Sequence, residues 1–219
     1  METARKTKLL RSGFTVLFAG LMCAGSFMSH PLPGGVPMTV QNMFAALSGL
    51  VLGGLQGAGA VGLFLVLGLA GIPIFSGMQG GLAVIQGHTG GYLIGYFVGA
   101  FVGGLILGSP LKKEKKNTAF LVRAVVAVFL AYALQYAVGI PWFSACMEAQ
   151  GQPKSFSQIL DVAFLPFIVV DSIKLLISFM LTLLLRPVVA RYLYPDDEKE
   201  AEEILRKLER RRQSGLAGH

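Results

Sequence analysis

Arg11 and Lys112 bracket 100 residues without a single Asp, Glu, Lys or Arg. A soluble domain of this size needs a charged surface, and this chain has none for nearly half its length. Its apolar runs are continuous, not alternating, which excludes the ten-residue two-faced strands of an outer-membrane barrel and predicts membrane-spanning helices. Six spans follow from the pattern. The first covers residues 12–30 and ends at "HPLPGGVP", residues 30–37. Residues 38–72 are uncharged, long for one span, and suit two that meet near "GGLQG", residues 53–57. Residues 71–91 hold too many Gly, Pro and polar residues for a lipid-facing helix. Spans four and five cover 91–108 and 119–140, and a polar segment with Trp142, Glu148 and Lys154 follows. Pro166 suits a first helical turn. Residues 167–186 then make the sixth span, about 30 Å of helix.

Composition agrees: 53% of residues are hydrophobic and only 14% are charged, against about a quarter in a soluble domain. The 28 glycines permit close helix contact. Net charge is +7, but the cations cluster at the ends of apolar runs, which argues against nucleic acid. Four lie in residues 1–11, four in "SPLKKEKKN" and eight from Arg186 onward, whereas the intervening outer loops hold only Lys154. With six spans, all three clusters fall on one side, predicted to be cytoplasmic with both termini. The fold class is therefore an all-α membrane protein, a bundle of six transmembrane helices over residues 1–195. A charged cytoplasmic tail, 196–219, has Glu202–Arg206 and Glu203–Lys207 at helical i, i+4 spacing, which predicts a short C-terminal helix. The N-terminus lacks a clear small-residue cleavage site, so the first span is expected to be retained.

The sixth span raises the chemical question. "FIVVDSIKLLISFMLTLLL" is apolar except for Asp171 and Lys174, each costly inside a bilayer at about 2.5–3.5 kcal/mol on insertion scales. Residues three apart share a helix face. The pair is either a mutual ion pair that pins packing or a ligand site open to the outer side. In "GHTGGYLIGY", paired glycines with Thr89 and Tyr92 either line a cavity with backbone groups or allow close packing; His88 beside them reads as polar lining. In "VPMTVQNMF", Thr39 and Gln41 either line a pocket or cap and pack the second helix. Gly20 and Ala24 form a small-xxx-small pair on the first span, a signal for contact with another helix; similar patterns in the other Gly-rich spans are read as chance. Cys23 and Cys146 make no disulfide framework or metal spacing. There is no Gly-Lys-Ser/Thr, no G-x-S-x-G and no H-E-x-x-H, and no motif calls for a cofactor.

"VPMTVQ", "GLAGIPIFSGMQGGL", "GHTGGYLIGY" and "LPFIVVDSIKLL" together resemble the BioY family, over about residues 12–186. Its members are the biotin-specific substrate-binding S components of energy-coupling factor (ECF) transporters. The chain differs from the usual pattern at His88, where proline is common, and in the "SGMQGG" loop. The resemblance implies a six-helix bundle in a prokaryotic plasma membrane, working with a transmembrane coupling protein and a pair of cytoplasmic ATPases. The missing P-loop fits that division of labour. It implies biotin as substrate, held by Asp171, Lys174, Thr39, Gln41, Phe75, Thr89, Gly90, Gly91 and Tyr92, with Trp142 as a further apolar wall. Lysine is expected to neutralise the biotin carboxylate. Gly20 and Ala24 are expected to face the coupling protein. The competing readings are a stand-alone secondary transporter or facilitator with Asp171 as proton carrier, and a membrane enzyme, for which no catalytic constellation is present.

Overall fold

The computed structural model describes residues 2–30, 32, 36–111, 114 and 116–193. The charged tail from 194 onward lies outside the described residues, as do Pro31, Pro33, Gly34 and Gly35. Among the described residues the structure is helical without strands. In chain order the helices are α1 (Glu2–Gly25), α2 (Gln41–Leu52), α3 (Gly54–Leu69), α4 (Leu82–Gln86), α5 (Gly90–Leu107), α6 (Thr118–Ala149), α7 (Phe156–Ala163) and α8 (Ile168–Leu193).

The uncharged 38–72 stretch does divide, at Gly53, whose φ of +91° is open to glycine at little cost. The predicted meeting point is thus right to a residue or two, although α2 and α3 have only 12 and 16 residues. Four segments are long and apolar enough to cross a membrane: Thr7–Gly25, Gly90–Leu107, Thr118–Ala149 and Phe156–Leu193. Large apolar side chains on their outer faces are exposed, among them Leu17, Phe129, Leu176, Met180 and Leu184. So much exposed apolar surface fits lipid, not water.

Two boundaries differ from expectation. Helix α6 starts at Asn117, whose Oδ1 accepts from Phe120 N at 2.9 Å. It then runs through Pro141 to Ala149 instead of stopping at residue 140. Proline removes one ladder bond, but the extra turns bury Phe143 and Met147 and place the Trp142 indole to donate to Gly87 O at 3.0 Å. Packing overrides the local break. Helix α7 was not expected at all. It begins with a capping box, Ser155 with Gln158, and turns at Leu165–Phe167 into α8. Helix α8 in turn continues past Arg186 and through Pro187 to Leu193.

Glycines build the central seam. Gly91, Gly95, Gly99 and Gly103 recur every four residues along α5. A Cβ on them would come within 2.2 Å of Trp142, 2.8 Å of Gln135, 2.3 Å of Ala131 and 2.9 Å of Ala127, all on α6. On another side of α5, Gly49 lies under Ala100 and Gly54 under Phe101 and Leu105. The repeating small residues read as chance are therefore the reason α5 sits between α2, α3 and α6.

The bundle has two distinct ends. At one, Arg11 donates to Leu193 O at 3.5 Å, Gln56 to Arg11 O at 3.0 Å, and Arg186 to carbonyls of α2 and α5. At the other, His30 and Met38 pair through their backbones, both at 2.9 Å. There Ser29 hydrogen-bonds Ser76 and His88 meets Gln150 at 3.1 Å.

Candidate functional site

At the second end, helix starts converge. Thr39, Gln41 and Asn42 open α2, Thr89, Tyr92 and Tyr96 open α5, and Phe167, Asp171 and Lys174 open α8. They enclose a pocket with Phe75, Gln135 and Tyr136. About 570 Å³ of empty space lies within it and its open mouth together.

Its floor is a charged network. Lys174 Nζ lies 2.7 Å from Asp171 Oδ1, 3.1 Å from Asn42 Oδ1 and 2.6 Å from Thr39 O. All three ammonium donors are thus engaged. The Asp171 carboxylate also accepts from Asn42 Nδ2, 3.2 Å from each oxygen, and from the Tyr136 hydroxyl. Both charged residues are only 8% exposed. Asp171 sits in the first turn of α8, where the helix dipole favours an anion. Asp171 and Lys174 form a mutual ion pair, and both line the pocket.

Around it, Gln41 Nε2 donates to Met22 O at 3.1 Å and Ile74 O at 2.8 Å, so this residue both lines the pocket and ties α1 to the 70–81 loop. The Tyr92 hydroxyl donates to Ala163 O at 2.8 Å. Tyr136 stacks edge-on with Phe164, at 5.0 Å between centroids, and with Tyr92, at 6.0 Å. The walls are aromatic and the floor is polar.

The expected site residues thus divide. Asp171, Lys174, Thr39, Gln41, Phe75, Thr89 and Tyr92 line the pocket. Gly90 and Gly91 do not: they are buried in the first turn of α5, against Ile85 O and Trp142. Trp142 holds Gly87 and stays outside the lining. Asn42, Tyr96, Gln135 and Tyr136 were missed. Single uncharged polar residues in apolar helices carry little signal, yet Tyr132 and Gln135–Tyr136 punctuate the otherwise apolar 124–140 stretch of α6. Among the described residues no group of three or more His, Cys, Asp or Glu is placed to hold a metal. Gly20 and Ala24 are exposed on α1, and a Cβ on Gly20 would meet nothing within 4 Å.

A second buried charge, Arg186, belongs to the basic cluster counted at the end of the last span. Arg186 is 0% exposed and pairs with Glu114 at 2.6 Å. With Asp171, Lys174, Ser178 and Thr182 it completes a buried polar stripe along one face of α8.

The profile of the BioY family matches residues 2–191. The chain is 34% identical over 179 residues to the biotin transporter BioY of Thermotoga maritima, covering 82% of this chain and 95% of that protein. It is 34% identical over 166 residues to the biotin transporter BioY of Rhodobacter capsulatus, covering 74% and 85%. A crystal structure of the S-component for biotin from an ECF-type ABC transporter superposes with a TM-score of 0.67 at 25% identity. That match covers 80% of this chain and 89% of the solved one. A family profile over residues 2–191, relatives at 34% identity over most of their length and a shared fold place this chain in the BioY family.

Proposed function

We propose that this protein is the substrate-binding membrane subunit of a biotin uptake system, energised by a separate transmembrane coupling protein and an ATPase pair. The observation that carries the reading is the Asp171–Lys174–Asn42–Tyr136 network on the floor of an aromatic pocket, in a member of the BioY family. Biotin presents a ureido ring with two N–H donors and a carbonyl, an apolar thioether ring, and a carboxylate tail. The aromatic walls suit the rings.

The charge balance of the floor assigns the ends. Asp171 and Lys174 already neutralise each other. Bringing the biotin carboxylate beside them would leave a net negative charge in a desolvated site, at a cost of several kcal/mol. The neutral ureido ring adds no charge. Its N–H groups suit the Asp171 carboxylate, and its carbonyl suits donors from Lys174 or Asn42, exchanged from their present partners. The carboxylate then points to the mouth, near Ser76 and Thr89. This reverses the expectation that lysine holds the carboxylate.

Six membrane crossings account best for the two ends of the bundle. Helices α2 and α3 are short, about 18 and 24 Å, but α2 is buried by its neighbours and does not need to match the full bilayer. The end with Arg11, Gln56, Glu114 and Arg186 is cytoplasmic by the distribution of Lys and Arg, and the pocket opens outward from a prokaryotic plasma membrane. The exposure of Gly20 and Ala24 on α1 supports assigning them to the face that meets the coupling protein.

Mass spectrometry of the small molecule that co-purifies with detergent-solubilised protein, followed by calorimetric titration with biotin, tests the reading. Biotin in the extract and saturable binding are expected. No biotin in the extract and no heat on titration would overturn it.

A further inference from the structure

We propose that Arg186 and Glu114 form a clasp that positions the α5–α6 connection for the energised step of uptake, apart from ligand binding. This rests on the transport reading above. Arg186 stands at the end of an apolar run, where a long cation ordinarily reaches water. Here it turns inward, and its whole guanidinium is used. Nη1 donates to Leu50 O at 2.7 Å and Gly108 O at 3.1 Å. Nη2 donates to Ser109 O at 3.1 Å and Leu107 O at 3.4 Å. Nε and Nη2 grip the Glu114 carboxylate at 2.6–3.0 Å.

The carbonyls explain only half of this. A cation at the C-terminal ends of α2 and α5 satisfies their last C=O groups and suits both dipoles, and four carbonyls suffice for that. Arg123 of α6 already caps the same end of α5, through Ile106 O at 2.8 Å and Leu107 O at 3.3 Å. Glu114 is not part of any helix. Burying its carboxylate to 7% side-chain exposure does not require the caps, and desolvated ion pairs are weak sources of stability but strong fixers of geometry. What the pair fixes is the connection between α5 and α6. Arg186 also shares α8 with Asp171 and Lys174, about 22 and 18 Å away along the helix, on the same buried face. One rigid element therefore joins the pocket to the connection that faces the proposed cytoplasmic partners.

Glu114→Ala is the informative variant, because Arg186 keeps its four carbonyl acceptors and no buried carbonyl is orphaned. Three properties are read for wild type, Glu114→Ala and Glu114→Asp: biotin binding by the purified protein, biotin uptake by cells that also express the coupling and ATPase subunits, and co-purification of the coupling protein. A fourth is labelling of Lys116→Cys by a water-soluble maleimide, in a background with Cys23→Ala and Cys146→Ala. In Glu114→Ala, biotin affinity stays within about threefold, uptake and co-purification fall at least tenfold, labelling quickens, and Glu114→Asp restores uptake in part. Uptake near wild type in Glu114→Ala overturns the proposal. So does a parallel loss of binding and uptake, which makes the clasp mere fold support. If the wild-type protein binds no biotin, the transport reading fails first. The clasp is then judged on labelling alone, and an unchanged rate in Glu114→Ala overturns it.

Discussion

At the scale of single residues, the pocket floor is a closed circuit in which each charge is already answered. Lys174→Ala removes the cation paired with Asp171 and leaves its carboxylate on Asn42 and Tyr136. Breaking a buried pair this way costs about 3–5 kcal/mol, so biotin affinity falls at least a hundredfold while the protein still inserts; equilibrium binding to purified protein measures it. Tyr136→Phe keeps the ring that stacks on Phe164 and removes one bond to a charged acceptor, about 1.5–3 kcal/mol, so a loss of roughly tenfold or more is expected in the same assay. The orientation has its own test. With the ureido ring on the charge pair, biotinamide, which lacks the tail charge, binds within about tenfold of biotin, whereas 2-iminobiotin, altered at the ureido carbonyl, binds far more weakly. The opposite ranking in competition assays would put the carboxylate on Lys174. Only part of this circuit was legible in the sequence. Two charges in an apolar run announce themselves, because nothing but a specific partner tolerates them there. Asn42 and Tyr136 do not, because an isolated amide or phenol in a membrane helix is ordinary.

At the scale of helices, glycine has two different uses, and spacing alone does not separate them. The Gly91–Gly95–Gly99–Gly103 row and the Gly20–Ala24 pair are both small residues four apart. The first lies against α6 backbone and side chains; the second faces outward with nothing near Gly20. Gly99→Leu therefore forces α5 from α6, at a cost above the usual 1–3 kcal/mol of overpacking, and lowers the melting temperature of the purified protein. Leucine at both Gly20 and Ala24 leaves melting temperature and biotin binding unchanged but blocks uptake in cells with the coupling subunits. Normal uptake by that double variant would remove α1 from the partner surface. Helix periodicity found most of these elements because their runs lack charge. It missed α7, an eight-residue helix within a polar segment, although the Ser155–Gln158 capping box marks its start. It stopped α6 at Pro141 because a local rule cannot see Phe143 and Met147 closing over the core.

At the scale of the whole molecule, the two ends do different work. One end is tied by Arg186 and Arg123 to fixed carbonyls. The end with the pocket is held by lighter contacts between loops: the His30–Met38 backbone pair, Ser29 with Ser76, and Ser26 with Met78 Sδ at 3.5 Å. Met78 and Gly77 both take positive φ, +58° and +71°, so the 75–79 turn is shaped by the loop itself and not by a helix. Pro37, Ser76 and Thr89 line both the pocket and an adjoining cleft, which on the transport reading proposed above is the way in. A ligand whose carboxylate reaches the mouth meets these side chains and draws the two loops together. Excluding water there strengthens every polar contact beneath. The alternative is a stiff, permanently open mouth. Cysteine placed at Ser76, in a background lacking Cys23 and Cys146, distinguishes the two. Saturating biotin should slow its labelling by a water-soluble maleimide at least tenfold. Biotinamide, without the tail charge, should slow it less at equal occupancy. Equal rates with and without biotin would show that the mouth does not close over its ligand.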